Sequence, residues 1–256
     1  MDRAQLEHLF DMSGRVVIVT GGTRGIGLAL AQGYVAAGAK VVVASRKPEA
    51  CDRAAASLRA QGGDATGVPT HTGELDSLKV LVETTADAFG RIDVVVNNAA
   101  NALTQPFGSF TPDAWQKSFD VNVRGPVFLV QEALPFLKDS EHAAVLNMIS
   151  AGAFLFSAWT SIYSAGKAAL MSFTRGMAAD FAPHGIRVNA LAPGSIDTDM
   201  VRNNPPEVQA RLGAASLMGR IASPDEIVGP ALLLTSDAGS YITGQVLLVD
   251  GGLVPH

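Results

Sequence analysis

A single cysteine, Cys51, leaves no partner for an internal disulfide, so burial and hydrogen bonding must hold the fold. The lone thiol sits near the expected start of a helix and reads as packing or plain exposure; a reducing compartment fits it. No apolar run approaches the roughly 20 residues that a membrane span needs. The first ten residues, MDRAQLEHLF, are charged and lack the apolar stretch of a secretory signal. The expected setting is cytoplasmic. Basic charge is scarce as well: 19 Lys and Arg stand against 24 Asp and Glu, for a net charge of −5. That balance offers no footprint for nucleic acid and no polybasic patch for a membrane. With 17% charged and 48% hydrophobic residues, the 256-residue chain has ample material for a core.

What is present is alternation. Apolar, β-branched runs at 15–20, 40–45, 92–98, 143–150, 186–193 and 245–250 predict strands, with a weaker one at 65–70. Ala- and Leu-rich segments at 26–38, 48–63, 74–90, 112–137, 161–182 and 224–236 predict helices between them. Pro48 falls in a first turn, and Thr111 before Pro112 is a natural cap. Seven strands alternating with helices predict an α/β fold: a doubly wound parallel sheet with helices on both faces. No break in composition marks a linker, so the expectation is one domain over 1–256. Residues 194–220, with Asn203, Asn204, Pro205 and Pro206, interrupt the pattern and read as an irregular insertion, a lid or binding loop.

The first strand runs into Thr20-Gly21-Gly22-Thr23-Arg24-Gly25-Ile26-Gly27 and then a helix. A glycine-rich turn there lets backbone N–H groups and a helix N-terminus approach a pyrophosphate. The spacing is Gly-x3-Gly-x-Gly, neither the common Gly-x-Gly-x-x-Gly fingerprint nor a P-loop. A tight turn built for close packing is the plainer account. A carboxylate at the end of the second strand would favour NAD. The chain has Ser45, Arg46 and Lys47 instead. Arg46, with Arg24 nearby, can meet a 2′-phosphate, whereas Lys47 also reads as a surface charge. NADP(H) is therefore preferred, with NAD(H) possible.

The stretch YSAGKAAL places Tyr163 and Lys167 one helical turn apart on one face. Free tyrosine, with a pKa of about 10, is a poor base at neutral pH. A neighbouring ammonium stabilises phenolate and is expected to lower that value. Such a tyrosine can exchange a proton with an alcohol or ketone while hydride moves to or from a nicotinamide. Ser150 ends the preceding strand, within reach of the same carbonyl oxygen. Each feature alone has an ordinary reading: a surface helix pair, a strand-end turn residue. Together with the glycine loop they point to redox chemistry.

The order of TGGTRGIG (20–27), VNNAA (96–100), NVRG (122–125), Ser150, YSAGK (163–167), IRVNALAPG (186–194) and VDGG (249–252) resembles the classical short-chain dehydrogenase/reductase family along essentially the whole chain. The resemblance implies a Rossmann-type fold and a tetrad of Asn122, Ser150, Tyr163 and Lys167. In that tetrad Tyr163 is the acid/base and Ser150 orients the substrate oxygen. Lys167 binds the nicotinamide ribose, and Asn122 positions a relay water. It also implies that the glycine loop, Asn98 and Ala99 hold the adenosine side, that His71 and Thr72 flank the adenine, and that Pro193, Gly194, Ile196 and Thr198 hold the nicotinamide end. A homotetramer is implied too, and no metal site is assigned. Two features depart from the family: Ala100 replaces a usual glycine, and the third strand ends in T70-H71-T72-G73 where an acid is frequent.

Phe154, Phe156 and Trp159, with Met200 and Leu217, suit an apolar substrate pocket, core packing or a partner-facing loop. Ala165, Ala168, Ala169, Phe173 and Met177 suit a subunit interface or the core. The expected activity is hydride transfer between NADP(H) and an apolar ketone or secondary alcohol. The alternatives are a 3-oxoacyl thioester reductase and a nucleotide-binding regulatory protein without turnover. An intact acid/base set argues against the regulatory protein. The glycine spacing and the tyrosine–lysine helix argue against a methyltransferase on the same kind of sheet.

Overall fold

The computed structural model describes residues 1–155 and 158–254. Seven strands form one all-parallel sheet: β1 (Val16–Thr20), β2 (Lys40–Ser45), β3 (Asp64–Pro69), β4 (Val94–Asn97), β5 (Ala144–Met148), β6 (Arg187–Pro193) and β7 (Val246–Val249). Their spatial order is β3-β2-β1-β4-β5-β6-β7. The chain winds outward from β1 to β3, returns to the centre at β4 and winds the other way. Connections therefore diverge between β1 and β4, and the crevice beyond their carboxyl ends is where such sheets take ligands.

Burial on both faces explains the continuous apolar strands. Val17 and Val19 of β1 point to one side, against Leu30 and Tyr34 of α2 (Gly25–Ala36), Leu58 of α3 (Pro48–Ala60) and Leu234 of α10 (Val228–Thr235). Ile18 points to the other, with Leu81 of α4 (Leu75–Phe89), Leu129 of α6 (Gly125–Lys138) and Met177 of α7 (Ser161–Phe181). Each side is a core of its own.

Three stretches differ from expectation. A short α1 (Arg3–His8) stands in the N-terminal segment, held by a reciprocal capping box between Asp2 and Gln5 and burying nothing. The expected helix over 112–137 is two, α5 (Pro112–Phe119) and α6, joined by a π-helical turn at Asp120–Arg124. The widened turn carries Asn122 inward, where it is wholly buried. Finally, 194–220 is less irregular than expected: it contains α8 (Asp199–Arg202) and α9 (Pro206–Ala214), with Pro206 at a helix start. Among the described residues no helix is long and apolar enough to cross a membrane.

Candidate active site

The glycine loop lies at the divergence point, and its geometry requires glycine. Gly21 and Gly25 have φ of 65° and 54°, in the left-handed region open to glycine. A Cβ on Gly27 would stand 2.2 Å from the Gly21 carbonyl oxygen. Gly21 N and Gly22 N donate to Ala44 O, tying the loop to the end of β2. The first turn of α2 has no side-chain cap, leaving its N–H groups for an anion. Thr23 and Ile26 lie within this loop and first turn, half-buried.

Asn98 and Ala99 brace the loop. Asn98 donates from Nδ2 to Thr20 O at 2.9 Å, and both backbone N–H groups donate to Thr20 Oγ1. Thr20 opens the motif, yet its role as this anchor was not legible in sequence. No non-glycine among the described residues has positive φ, so Ala100 occupies an ordinary backbone conformation.

At the end of β2, Ser45 is half-buried, and Arg46 and Lys47 are exposed without an ion pair among the described residues. Arg24 carries an ion pair that the sequence did not announce: its Nη1 bonds Asp199 Oδ2 of α8 at 2.8 Å. His71 accepts from Gly73 N at 3.2 Å, which turns the chain after β3. Arg124 holds that turn by donating to Gly73 O. Thr72 packs its carbonyl against Gly125.

Pro193 ends β6 beside Val249, and Gly194 donates to Val249 O. Ile196 points into the core at 4% exposure. Thr198 carries its methyl against Gly25, joining the two ends of the cradle.

The four tetrad residues converge. Ser150 follows β5 and caps a short 3₁₀ turn by accepting from Gly152 N at 3.0 Å. Its hydroxyl also interacts with the phenol of Tyr163. Lys167 is buried and donates from Nζ to Met148 O at 2.6 Å, two residues before Ser150. The same Nζ stands 5.6 Å from the centroid of the Tyr163 ring. Asn122 packs against Gly166, and its Nδ2 donates to Asn101 O (2.8 Å) and Ser118 Oγ (3.3 Å). Its Oδ1 accepts from Asn101 N at 3.1 Å. Asn101 was missed in sequence, because nothing local distinguishes it. Behind the site, Asn97 donates to Asn147 Oδ1, and Asn147 donates to Thr174 Oγ1, fixing α7 against β4 and β5.

The electrostatics correct one expectation. Burial holds the Tyr163 phenol above its usual range, and the bond with Ser150 offsets this only in part. A net lowering by Lys167 is not what the structure shows. The lysine lies over the ring, hydrogen-bonded to a carbonyl, and burial brings its own pKa down to about 8.

Phe154, Trp159, Met200 and Leu217 are all exposed, and Trp159 O accepts from Gln105 N. Phe156 lies outside the described residues. On α7 the small-residue face divides: Met177 is buried in the core, while Ala165 and Phe173 are exposed. A cavity of about 310 Å³ at the opposite end of the sheet is lined by Arg15, Arg91 and His142. Asp93 pairs with Arg91, and Asp237 with Arg15 and the His142 ring, so that cavity has a structural explanation.

Residues 21–254 match the family profile described as Enoyl-(Acyl carrier protein) reductase. The chain is 35% identical to human Dehydrogenase/reductase SDR family member 4, over 94% of this chain and 88% of that protein. The chain belongs to the short-chain dehydrogenase/reductase family. Among its relatives in this oxidoreductase family is the 3-oxoacyl-[acyl-carrier-protein] reductase of Synechocystis, 36% identical over 95% of this chain and 98% of that one. A crystal structure of gluconate 5-dehydrogenase from Burkholderia cenocepacia, in complex with NADP and tartrate, superposes with a TM-score of 0.93. It is 32% identical and covers 98% of this chain and 99% of that one. The family explains why the glycine loop and the tyrosine–lysine turn coexist on one sheet.

Proposed function

We propose that this short-chain dehydrogenase/reductase interconverts a ketone and a secondary alcohol with NADP(H), Tyr163 acting as the acid/base. The convergence of Ser150, Tyr163 and Lys167 at the end of β5, on the sheet that carries the glycine loop, supports this reading. A bound nicotinamide supplies or accepts the hydride. The residues present fit a dinucleotide. Glycines sit where a side chain would collide, and among the described residues the start of α2 has no side-chain cap and the cations at the end of β2 have no carboxylate partner. The absence of an acid there favours a 2′-phosphate over a free ribose hydroxyl, with NAD(H) possible.

In the reducing direction Tyr163 gives its phenolic proton to the carbonyl oxygen, and burial keeps that proton in place at neutral pH. Ser150 donates a hydrogen bond to the same oxygen. Lys167, oriented by Met148 O, keeps further N–H donors for the ribose hydroxyls. Both side-chain donors of Asn122 are committed to Asn101 and Ser118. A relay water beside the lysine would therefore be held by its backbone carbonyl.

The exposed apolar side chains of Phe154, Trp159, Met200 and Leu217 support an apolar substrate, with 194–220 as its covering loop. A 3-oxoacyl thioester is the second reading, supported by the Synechocystis relative. The exposed Ala165 and Phe173 on α7 favour a homotetramer, and a single thiol fits a cytoplasmic setting.

The test is Tyr163→Phe. NADPH affinity should stay near that of the wild type while turnover on a responsive ketone falls about 100-fold or more. Turnover close to the wild-type rate would remove Tyr163 from the mechanism.

A further inference from the structure

The cations around the glycine loop are not equivalent. Arg46 and Lys47 stand free of ion pairs among the described residues, whereas Arg24 is bonded to Asp199. Arg24 belongs to the loop that is tied to the end of β2. The loop that carries it is hydrogen-bonded to Ala44, two residues before Arg46, and Gly22 packs against Val43. Asp199 comes from elsewhere, as the first residue of α8 in the segment between β6 and α9. The nearest other acid in that segment, Asp197, is held by both Arg202 Nε (2.7 Å) and Nη2 (2.9 Å). Asp199 is thus the carboxylate that neutralises Arg24.

We propose that Asp199 sets cofactor selectivity by competing with the adenosine 2′-phosphate for Arg24. The inference rests on the NADP(H) reading above. The Arg24–Asp199 pair is 75% and 52% exposed at its two side chains, and water screens it. A phosphate carrying close to two negative charges, with oxygens placed for a guanidinium fork, is the stronger partner for the same group. An NADP(H) molecule that uses Arg24 must share its charge with Asp199 or displace the carboxylate from Nη1, and NAD(H) need do neither. The carboxylate therefore narrows the preference for the phosphorylated cofactor. The packing of Thr198 on Gly25 holds α8 beside the loop without the ion pair, so Arg24 can change partners while that contact stays in place.

The experiment is a fluorescence titration of NADPH and NADH, each on wild type, Asp199→Asn, Arg24→Ala and the double variant. Asp199→Asn should tighten NADPH by roughly two- to five-fold, the scale of an exposed ion pair, and leave NADH unchanged. The gain should vanish when Arg24 is alanine. Equal tightening of both cofactors would mean a general charge effect and overturn the proposal, as would a gain that survives in the double variant. Arg46→Ala separates the two levels of the argument. If it weakens both cofactors equally, the NADP(H) reading fails. If it weakens NADPH selectively while Asp199→Asn leaves the ratio of affinities unchanged, only the competition by Asp199 fails.

Discussion

Lys167 donates its ammonium proton to Met148 O at 2.6 Å with 2% of the residue exposed. Burying that charge costs stability. The lysine pKa drops from 10.5 to about 8 in the fold, so between those values the unfolded chain binds more protons. Stability from this group is lowest, and flat, below pH 8, and it rises with pH across the window. The rise should be about 2 kcal/mol between roughly pH 7.5 and 9.5. Urea denaturation of wild type and Lys167→Met at both pH values checks it. The variant should lose the rise and be at least as stable as wild type at neutral pH. A variant that keeps the same pH dependence would show that the lysine is not its source.

Reaction rates should follow Lys167 and Tyr163 with opposite signs in the two directions. Burial raises the Tyr163 pKa, so the phenol needed for reduction is present throughout the neutral range. Ketone reduction should be flat to about pH 7.5 and then fall as Lys167 loses its proton near pH 8. Alcohol oxidation, which needs the deprotonated oxygen, should climb into the alkaline range. A reduction rate that increases from about pH 7 to 9 contradicts this assignment. Lys167→Arg, which keeps its charge, should move the fall to higher pH.

The fold was legible where the physics is local. Runs such as Val41-Val42-Val43 are apolar on both sides because both faces of β2 are covered, and Gly90 marks the end of α4 with φ of 73°. The pairing of Tyr163 with Lys167 followed from helical spacing alone. What was hidden depends on distant partners. The π-helical turn accompanies the bonds of Asn122 to Asn101, twenty-one residues away. Arg24 is bonded to Asp199, 175 residues on. The sign of the Tyr163 shift is set by burial, which no spacing rule records.

Two glycine substitutions should behave oppositely. Gly27→Ala places a methyl 2.2 Å from Gly21 O and 2.5 Å from Asn98 Nδ2, so the glycine loop must move. It should cost roughly 1–3 kcal/mol or more and weaken NADPH binding. Gly176, exposed within α7, meets nothing within 4 Å and has no positive φ. Gly176→Ala should stabilise by about 0.5–1 kcal/mol, since it lowers the entropy of the unfolded chain. Thermal melts and NADPH titration of both variants decide the matter. Equal effects would mean that crowding at the loop is not what separates them.

Asn122 allows the most direct test of how the site is held. Its three side-chain hydrogen bonds join the π-helical turn to Asn101 and Ser118. Asn122→Leu keeps the approximate volume but strands the buried Ser118 hydroxyl and the part-buried backbone groups of Asn101, at a cost of about 1–3 kcal/mol. Asn122→Asp keeps an acceptor for Asn101 N and loses both donors, so its loss should be intermediate. The segment 99–110, released from Asn101, should be cut faster by protease in Asn122→Leu. Turnover should fall with it, because Gly166, against which Asn122 packs, immediately precedes Lys167. Unchanged cleavage together with reduced turnover would separate the two roles: the Asn122 side chain would then act through its packing on Gly166 beside Lys167, and its bonds to Asn101 would not be what holds the loop.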